Sequence, residues 1–244
     1  MREFAARLPT AHKILACTET QLDGILLAAI SDRIKRSQQD PTAPRNVFLP
    51  ELQGMYPISV DVTFTKRSQA DAAVTESWQR LINRGFLMQA VGQAAGVMTL
   101  TRKGIEAAEA VNFEEIIVRQ SLTREMLHAD LRGSVYDNFA AGHYDTAVLD
   151  AFKLVEDAVR NAATGLPAGL VGSKLMRQAF DAKKGPLRDP ALHPGERAAM
   201  PDLFAGAMGV FRNSVAHRKV GKNDPATVIE ELMIASRLLR FVKP

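Results

Sequence analysis

The chain has 244 residues, 46% of them hydrophobic and 24% charged, a balance ordinary for a soluble globular protein and a length that suits one large domain or two smaller ones. Thirty-one Lys and Arg against 27 Asp and Glu leave a net charge of +4, which permits a nucleic-acid partner but, with no basic run, does not demand one. The lone Cys17 excludes an internal disulfide and any zinc site built on several thiols, and it points to a reducing compartment.

The first twenty residues, MREFAARLPTAHKILACTET, are interrupted by Glu3, Arg7, Pro9 and Lys13, so they do not read as a signal peptide. The longest apolar run, GILLAAI at 24 to 30, is too short to cross a bilayer. A cytoplasmic protein with no membrane partner is expected. Cys17 itself reads as a small buried residue in a helix.

In chain order, 20 to 37 places Leu22, Ile25, Leu26, Ala29, Ile30 and Ile34 at helical spacing with a polar opposite face. Two prolines then make 38 to 46 a loop. A second helix is expected over 68 to 85, with Val74, Trp78, Leu81 and Ile82 on one side and Gly85 as its stop. In FLMQAVGQAAGVMTLTRKG (86 to 104), apolar flanks around GQAAG read as a β-hairpin. GQAAG is no phosphate loop, since it lacks the Gly-Lys-Ser/Thr ending.

The run from 113 to 142 reads as helical, and 143 to 163 as a helix with a broad apolar face from Ala147 to Val159. TGLPAGLVG (164 to 172) is a loop, after which Ser173 is the expected cap of a short helix. A second Pro- and Gly-rich loop precedes two closing helices, 197 to 219 and 224 to 242, the latter capped by Asp224 with Pro225 as its first residue. With no strand in this half, an antiparallel helical bundle is expected.

Three polar side chains stand together near the end of the 197 to 219 helix: Arg212, Asn213 and His217 in VFRNSVAHRK. Asn213 and His217 are four residues apart and share a face, while Arg212 is turned ~140° from His217 and reaches the same cleft on its long stem. An imidazole titrates near neutrality and can move a proton to or from an RNA hydroxyl. A guanidinium offers a planar fork to phosphate oxygens, and an amide can hold either in register. The same residues at a helix C-terminus also suit a plain basic exit that meets the dipole. No metal site is expected, because His128 and His143 fall in separate helices away from other ligands. His193 and His12 read as surface residues.

The stretch from 15 to 110, with a helix running into RGFL, a hairpin, then LTRKG opening the next helix, resembles a winged-helix domain. That resemblance makes 68 to 85 the recognition helix, with Lys66, Arg67, Arg80 and Arg84 beside it and Arg102 and Lys103 at the wing, in position to meet DNA. The alternative is that these cations are solvated and the module packs on a partner. The string RNSVAH fits the Arg-Asn-x-x-x-His signature of the HEPN superfamily. Together with AAGHYDTAVLDAFKLVEDAVR (140 to 160) and KLMRQAF (174 to 180), it resembles the Ymh-type C-terminal domain over about 125 to 242.

The fold this implies is mainly α: a winged-helix-like α+β domain (1 to 112) followed by a HEPN-like helical bundle (113 to 244). The resemblance further implies a metal-independent endoribonuclease without cofactor, of the kind that serves as toxin, abortive-infection or phage-defence effector. Arg212 would steady phosphate, His217 serve as acid or base, Asn213 position, and Glu156 orient Arg212 or His217; Arg218 and Lys219 would add RNA contacts. RNA is the expected partner, a homodimer the expected assembly because paired motifs meet at an interface in such enzymes, and a regulatory protein a further expected partner. The alternative is a non-catalytic DNA-binding regulator or scaffold that only dimerises through its bundle.

Overall fold

The structure is a computed structural model and describes residues 1–40, 46–53, 63–212, 221 and 224–243. The chain is mainly helical and divides into two compact units, Met1–Ile117 and Val118–Pro244. The sequence places the boundary at 112/113; the division falls five residues later, inside a helix. Among the described residues no helix is long and apolar enough to cross a membrane.

The first unit opens with two short helices, α1 (Arg2–Arg7) and α2 (Ala11–Leu15), and the long α3 (Glu19–Gln39). Helix α3 starts where it does because Thr18 and Gln21 cap each other: the Thr18 hydroxyl accepts from the Gln21 amide at 3.2 Å and the Gln21 side chain accepts from the Thr18 amide at 3.0 Å. Its Leu22, Leu26, Leu27, Ala29 and Ile30 are buried. Cys17 sits just before this start rather than within a helix; it is half-buried, and burial raises the pKa of its thiol.

Helix α4 spans Phe64–Asn83, four residues longer at its start than expected, because the Thr63 hydroxyl caps it by accepting from the Lys66 amide. Ala70, Val74, Trp78 and Leu81 form its buried face, and Gly85 ends it with φ +73°.

The hairpin is β2 (Leu87–Gln89) against β3 (Val97–Leu100), antiparallel as expected. A two-residue strand that the sequence reading missed, β1 (Val47–Phe48), pairs on the other side of β3 and completes a sheet of order β1-β3-β2. Thr101 caps α5 (Arg102–Glu109), accepting from the Gly104 amide at 2.9 Å and donating to the Gly85 carbonyl at 2.7 Å. Gly104 is required there: a Cβ would stand 2.1 Å from the Phe86 carbonyl oxygen. Helix α6 (Phe113–Ser121) leads into the second unit.

The stretch expected as helix throughout 113 to 142 is broken. After α6 come two single 3₁₀ turns, Arg124–Met126 and Ala129–Leu131, and then α7 (Ser134–Ala140). The interruption has a local cause: the His128 ring accepts from the Asp130 amide at 3.2 Å and its own amide donates to the Ser236 hydroxyl at 2.7 Å, which diverts the backbone from helical pairing.

Helix α8 (Tyr144–Ala162) is the axis of this unit; α7, α9 (Gly172–Ala179), a π turn at Met208–Arg212 and the closing α11 (Pro225–Val242) pack on it. Its Ala147, Val148, Ala151, Phe152, Val155 and Val159 are fully buried, the three-and-four spacing of a core stripe. Each large apolar side chain taken from water this way stabilises the fold by roughly 1.5–3 kcal/mol.

Helix α10 is Pro194–Ala207 and runs into the π turn Met208–Arg212, where one helix was expected from 197 to 219; residues 213–219 of that expectation lie outside the described residues. It begins early because His193, expected as loose surface, caps it: the ring accepts from the Gly195 amide at 3.2 Å while the Glu196 carboxylate accepts from the His193 amide at 3.2 Å. Ser173, the expected cap of α9, lies inside that helix, and its hydroxyl donates to the Ala205 carbonyl at 2.9 Å.

Asp224 caps α11 as expected, accepting from the Ala226 and Thr227 amides at 3.1 and 3.2 Å and from the Thr227 hydroxyl at 2.6 Å. The Thr227 hydroxyl first, then the two amides, hold its carboxyl below the ordinary 3.8. A depressed folded pKa means that the stabilisation is whole above the unfolded value and is lost as pH falls through the folded one. The melting-temperature gap between wild type and Asp224→Ala is therefore expected to be full at neutral pH and to close below about pH 4, which thermal denaturation at stepped pH checks.

Candidate ribonuclease site and nucleic-acid surface

The α8 stripe leaves one acidic residue inside. Glu156 is 5% exposed, and a carboxylate that deep must be satisfied on both oxygens. One oxygen accepts from Arg160 Nη2 at 3.0 Å and from the Gly172 amide at 3.0 Å, so Glu156 also serves as the N-terminal acceptor for α9, in place of Ser173. The other faces Arg212 Nη2 at 3.3 Å. The resemblance put Glu156 beside Arg212 or His217; Arg212 meets it, and His217 lies outside the described residues.

Arg212 closes the π turn Met208–Arg212. There the helical path widens by one residue, and Phe211 stacks on Phe152 of α8 with ring centroids 5.3 Å apart. The aromatic pair and the ion pair together fix the Arg212 backbone against α8. Its side chain remains 27% exposed, and its Nε is buried with no partner among the described residues.

Arg160 does more than balance charge: its Nη1 donates to the Leu170 and Ala168 carbonyls at 2.8 and 3.2 Å, tying down the loop before α9. Farther on, the Gly221 amide donates to Asp145 Oδ2 in the first turn of α8 at 2.9 Å. Asn213, His217, Arg218 and Lys219 lie outside the described residues. Sequence reasoning missed Arg160 and Asp145. The spacing of four between Glu156 and Arg160 was a readable signal; the Asp145 contact, 76 positions away, was not.

Of the N-terminal cations, Arg80 turns inward. Its guanidinium makes hydrogen bonds of 2.8 to 3.1 Å to Asp23, which is 1% exposed, and the bond to Asp23 raises its pKa above the ordinary arginine value. That pair joins α3 to α4 and accounts for Arg80 without a nucleic-acid partner. Arg84 ends α4, and its carbonyl accepts from Lys103 Nζ at 2.8 Å. Lys103 also lies 5.1 Å over the Phe86 ring; burial, then the Arg84 charge, lowers its pKa. Lys66 Nζ is 3.1 Å from His12 Nε2, so His12 is not simply solvent-facing. Arg67 and Arg102 stand in the first turns of α4 and α5. Among the described residues no cluster of His, Cys, Asp and Glu is placed to hold a metal ion.

Residues 125–242 match the family described as Hypoth_Ymh, protein of unknown function. No curated protein and no solved structure matches the chain.

Proposed function

We propose that the second unit is a HEPN-type bundle and cleaves RNA without a metal ion. The observation that carries this reading is the Glu156–Arg212 pair: a buried carboxylate on the central helix holds the first residue of the Arg-Asn-x-x-x-His string at a fixed point while part of the guanidinium stays open to solvent. Arg80 is closed on Asp23 by three hydrogen bonds, whereas Arg212 meets Glu156 through a single contact at 3.3 Å, which leaves guanidinium donors for a phosphate.

In the reaction, the RNA 2′-oxygen attacks phosphorus as its proton passes to a base, and the bond from phosphorus to the 5′-oxygen breaks as an acid protonates that oxygen. His217 supplies one of the two proton transfers. Arg212 steadies the non-bridging oxygens as charge grows on them, and Asn213 positions. One histidine serves one transfer at a time, and a two-fold dimer supplies the second. Arg218 and Lys219 add contacts to flanking phosphates. An effector of this kind needs a trigger or a restraining protein partner, which places the N-terminal unit as the sensor in a toxin or phage-defence role.

That unit is read as winged-helix-like, supported by α3, α4 and the β1-β3-β2 sheet with its β2–β3 hairpin. Its Arg102 and Lys103 sit at the N-terminal end of α5, where positive side chains oppose the helix dipole, Lys103 being held there by the Arg84 carbonyl and the Phe86 ring. Cations kept in such a place suit an anionic partner. With Arg80 bound to Asp23, contact through the wing is favoured over base reading through α4.

The test incubates wild type and Arg212→Ala with total RNA and tRNA in EDTA. Wild type is expected to cut, and Arg212→Ala to cut about 10²–10³-fold more slowly at a temperature where both proteins are folded, its melting temperature lowered because one Glu156 oxygen loses its partner while the other keeps Arg160 and Gly172. Equal cutting by both proteins would remove Arg212 from the reaction.

A further inference from the structure

The end of α10 away from Arg212 borders a cavity of about 250 Å3 that the cleavage chemistry does not use. Phe180 at the end of α9, Met200 on α10, Leu192 in the loop between them and Phe241 in the last turn of α11 make its apolar wall. Two arginines, Arg188 and Arg197, border the same space. Among the described residues Arg188 donates only to the Gly185 carbonyl, at 3.3 Å, and Arg197 has no side-chain partner. Asp189, the one acid present, is engaged by the Ala191 amide at 2.8 Å, so the cavity carries excess positive charge.

The wall is aromatic and its geometry is set in advance. Phe180 stacks on Phe204 with centroids 4.0 Å apart, and Phe241 has Arg237 over its ring at 4.4 Å yet remains 41% exposed. The loop that forms the rim is pinned where the Leu187 amide donates to the Ala179 carbonyl at 2.9 Å and where Gly185 packs too close to Asp181 for any Cβ. A preformed apolar slot with a few convergent cations is the usual form of a small-molecule site. An aromatic wall beside two guanidinium groups that have no acidic partner among the described residues suits a planar ring that carries an anion.

We infer that this cavity binds one nucleotide unit, the base against Phe241 and Phe180 and the phosphate on Arg197 and Arg188. Two sources share that chemistry, a free mononucleotide and one residue of an RNA chain. Arg197 and Arg212 are fifteen residues apart on one helical path, ~20 Å, so an RNA base seated here lies several nucleotides from the scissile phosphate and adds sequence preference to the cut. That last point rests on the cleavage reading; the binding does not.

The experiment is titration calorimetry of the full chain with AMP, GMP, CMP and UMP, with a 2′-O-methyl RNA hexamer that cannot be cut, and with ribose 5-phosphate. Arg197→Met, which keeps the apolar stem, and Arg188→Gln are tested beside wild type. At least one mononucleotide or the hexamer is expected to bind, about tenfold or more weaker to Arg197→Met, and more tightly than ribose 5-phosphate. Binding of mononucleotides alone assigns a free nucleotide, and Arg197-dependent binding of the hexamer assigns RNA. No binding, equal binding of ribose 5-phosphate, or indifference to both substitutions overturns the site. Because nothing is turned over, a protein that binds but never cuts keeps this site while losing the cleavage reading, and one that cuts with unaltered binding in Arg197→Met loses the site alone.

Discussion

Replacing His217 by alanine is expected to slow RNA cleavage by about 10²–10⁴-fold, with RNA affinity held within a few-fold. In the proposed reaction the imidazole contributes to the moving proton rather than to the grip on phosphate, so the loss belongs in kcat and not in KM. In a dimer that shares its proton-transfer groups, mixing wild-type and His217→Ala chains should leave intermediate activity. A single-turnover assay at saturating protein measures this directly, and a variant that cuts at the wild-type rate would remove His217 from the mechanism.

The second large effect is on stability. Glu156→Ala takes the acceptor away from two guanidinium groups and from the first amide of α9 at once. Removing one member of a buried pair costs about 3–5 kcal/mol. Arg160 and Arg212 are 33% and 27% exposed, so water screens part of that loss, and about 2–3 kcal/mol is the expected cost. Glu156→Gln keeps a neutral acceptor for the Gly172 amide and should cost less. Denaturant unfolding of the two variants checks the order; an Ala variant as stable as wild type would show that the carboxylate is not the anchor described.

How far the chain could be read depended on how local each determinant was. Helices α8 and α11 were legible because their apolar stripes and the Asp224-Pro225 start act over neighbouring residues. The β2–β3 hairpin was legible through its two glycines, Gly92 and Gly96, which both adopt positive φ. Strand β1 was not: two residues carry no periodicity, and Val47 is a strand only because Met98 lies opposite. The π turn was equally hidden, since periodicity assumes an unbroken helix through 207 to 219 and the widening is set by the packing of Phe211 on Phe152. Arg80 shows the limit most clearly. Its position on α4 suggested a surface cation, but its partner Asp23 lies 57 residues away and draws it inward. The resemblance set Glu156 beside Arg212 or His217, whereas its part in starting α9 became visible only in three dimensions.

The most direct measurement of the central claim is the chemistry of the RNA ends left by wild type in EDTA. Attack by the 2′-oxygen leaves a 2′,3′-cyclic phosphate and a 5′-hydroxyl, and those ends, absent from parallel His217→Ala and Arg212→Ala reactions, are the predicted result. Ends bearing 3′-hydroxyl and 5′-phosphate, or the same products from all three proteins, would contradict it.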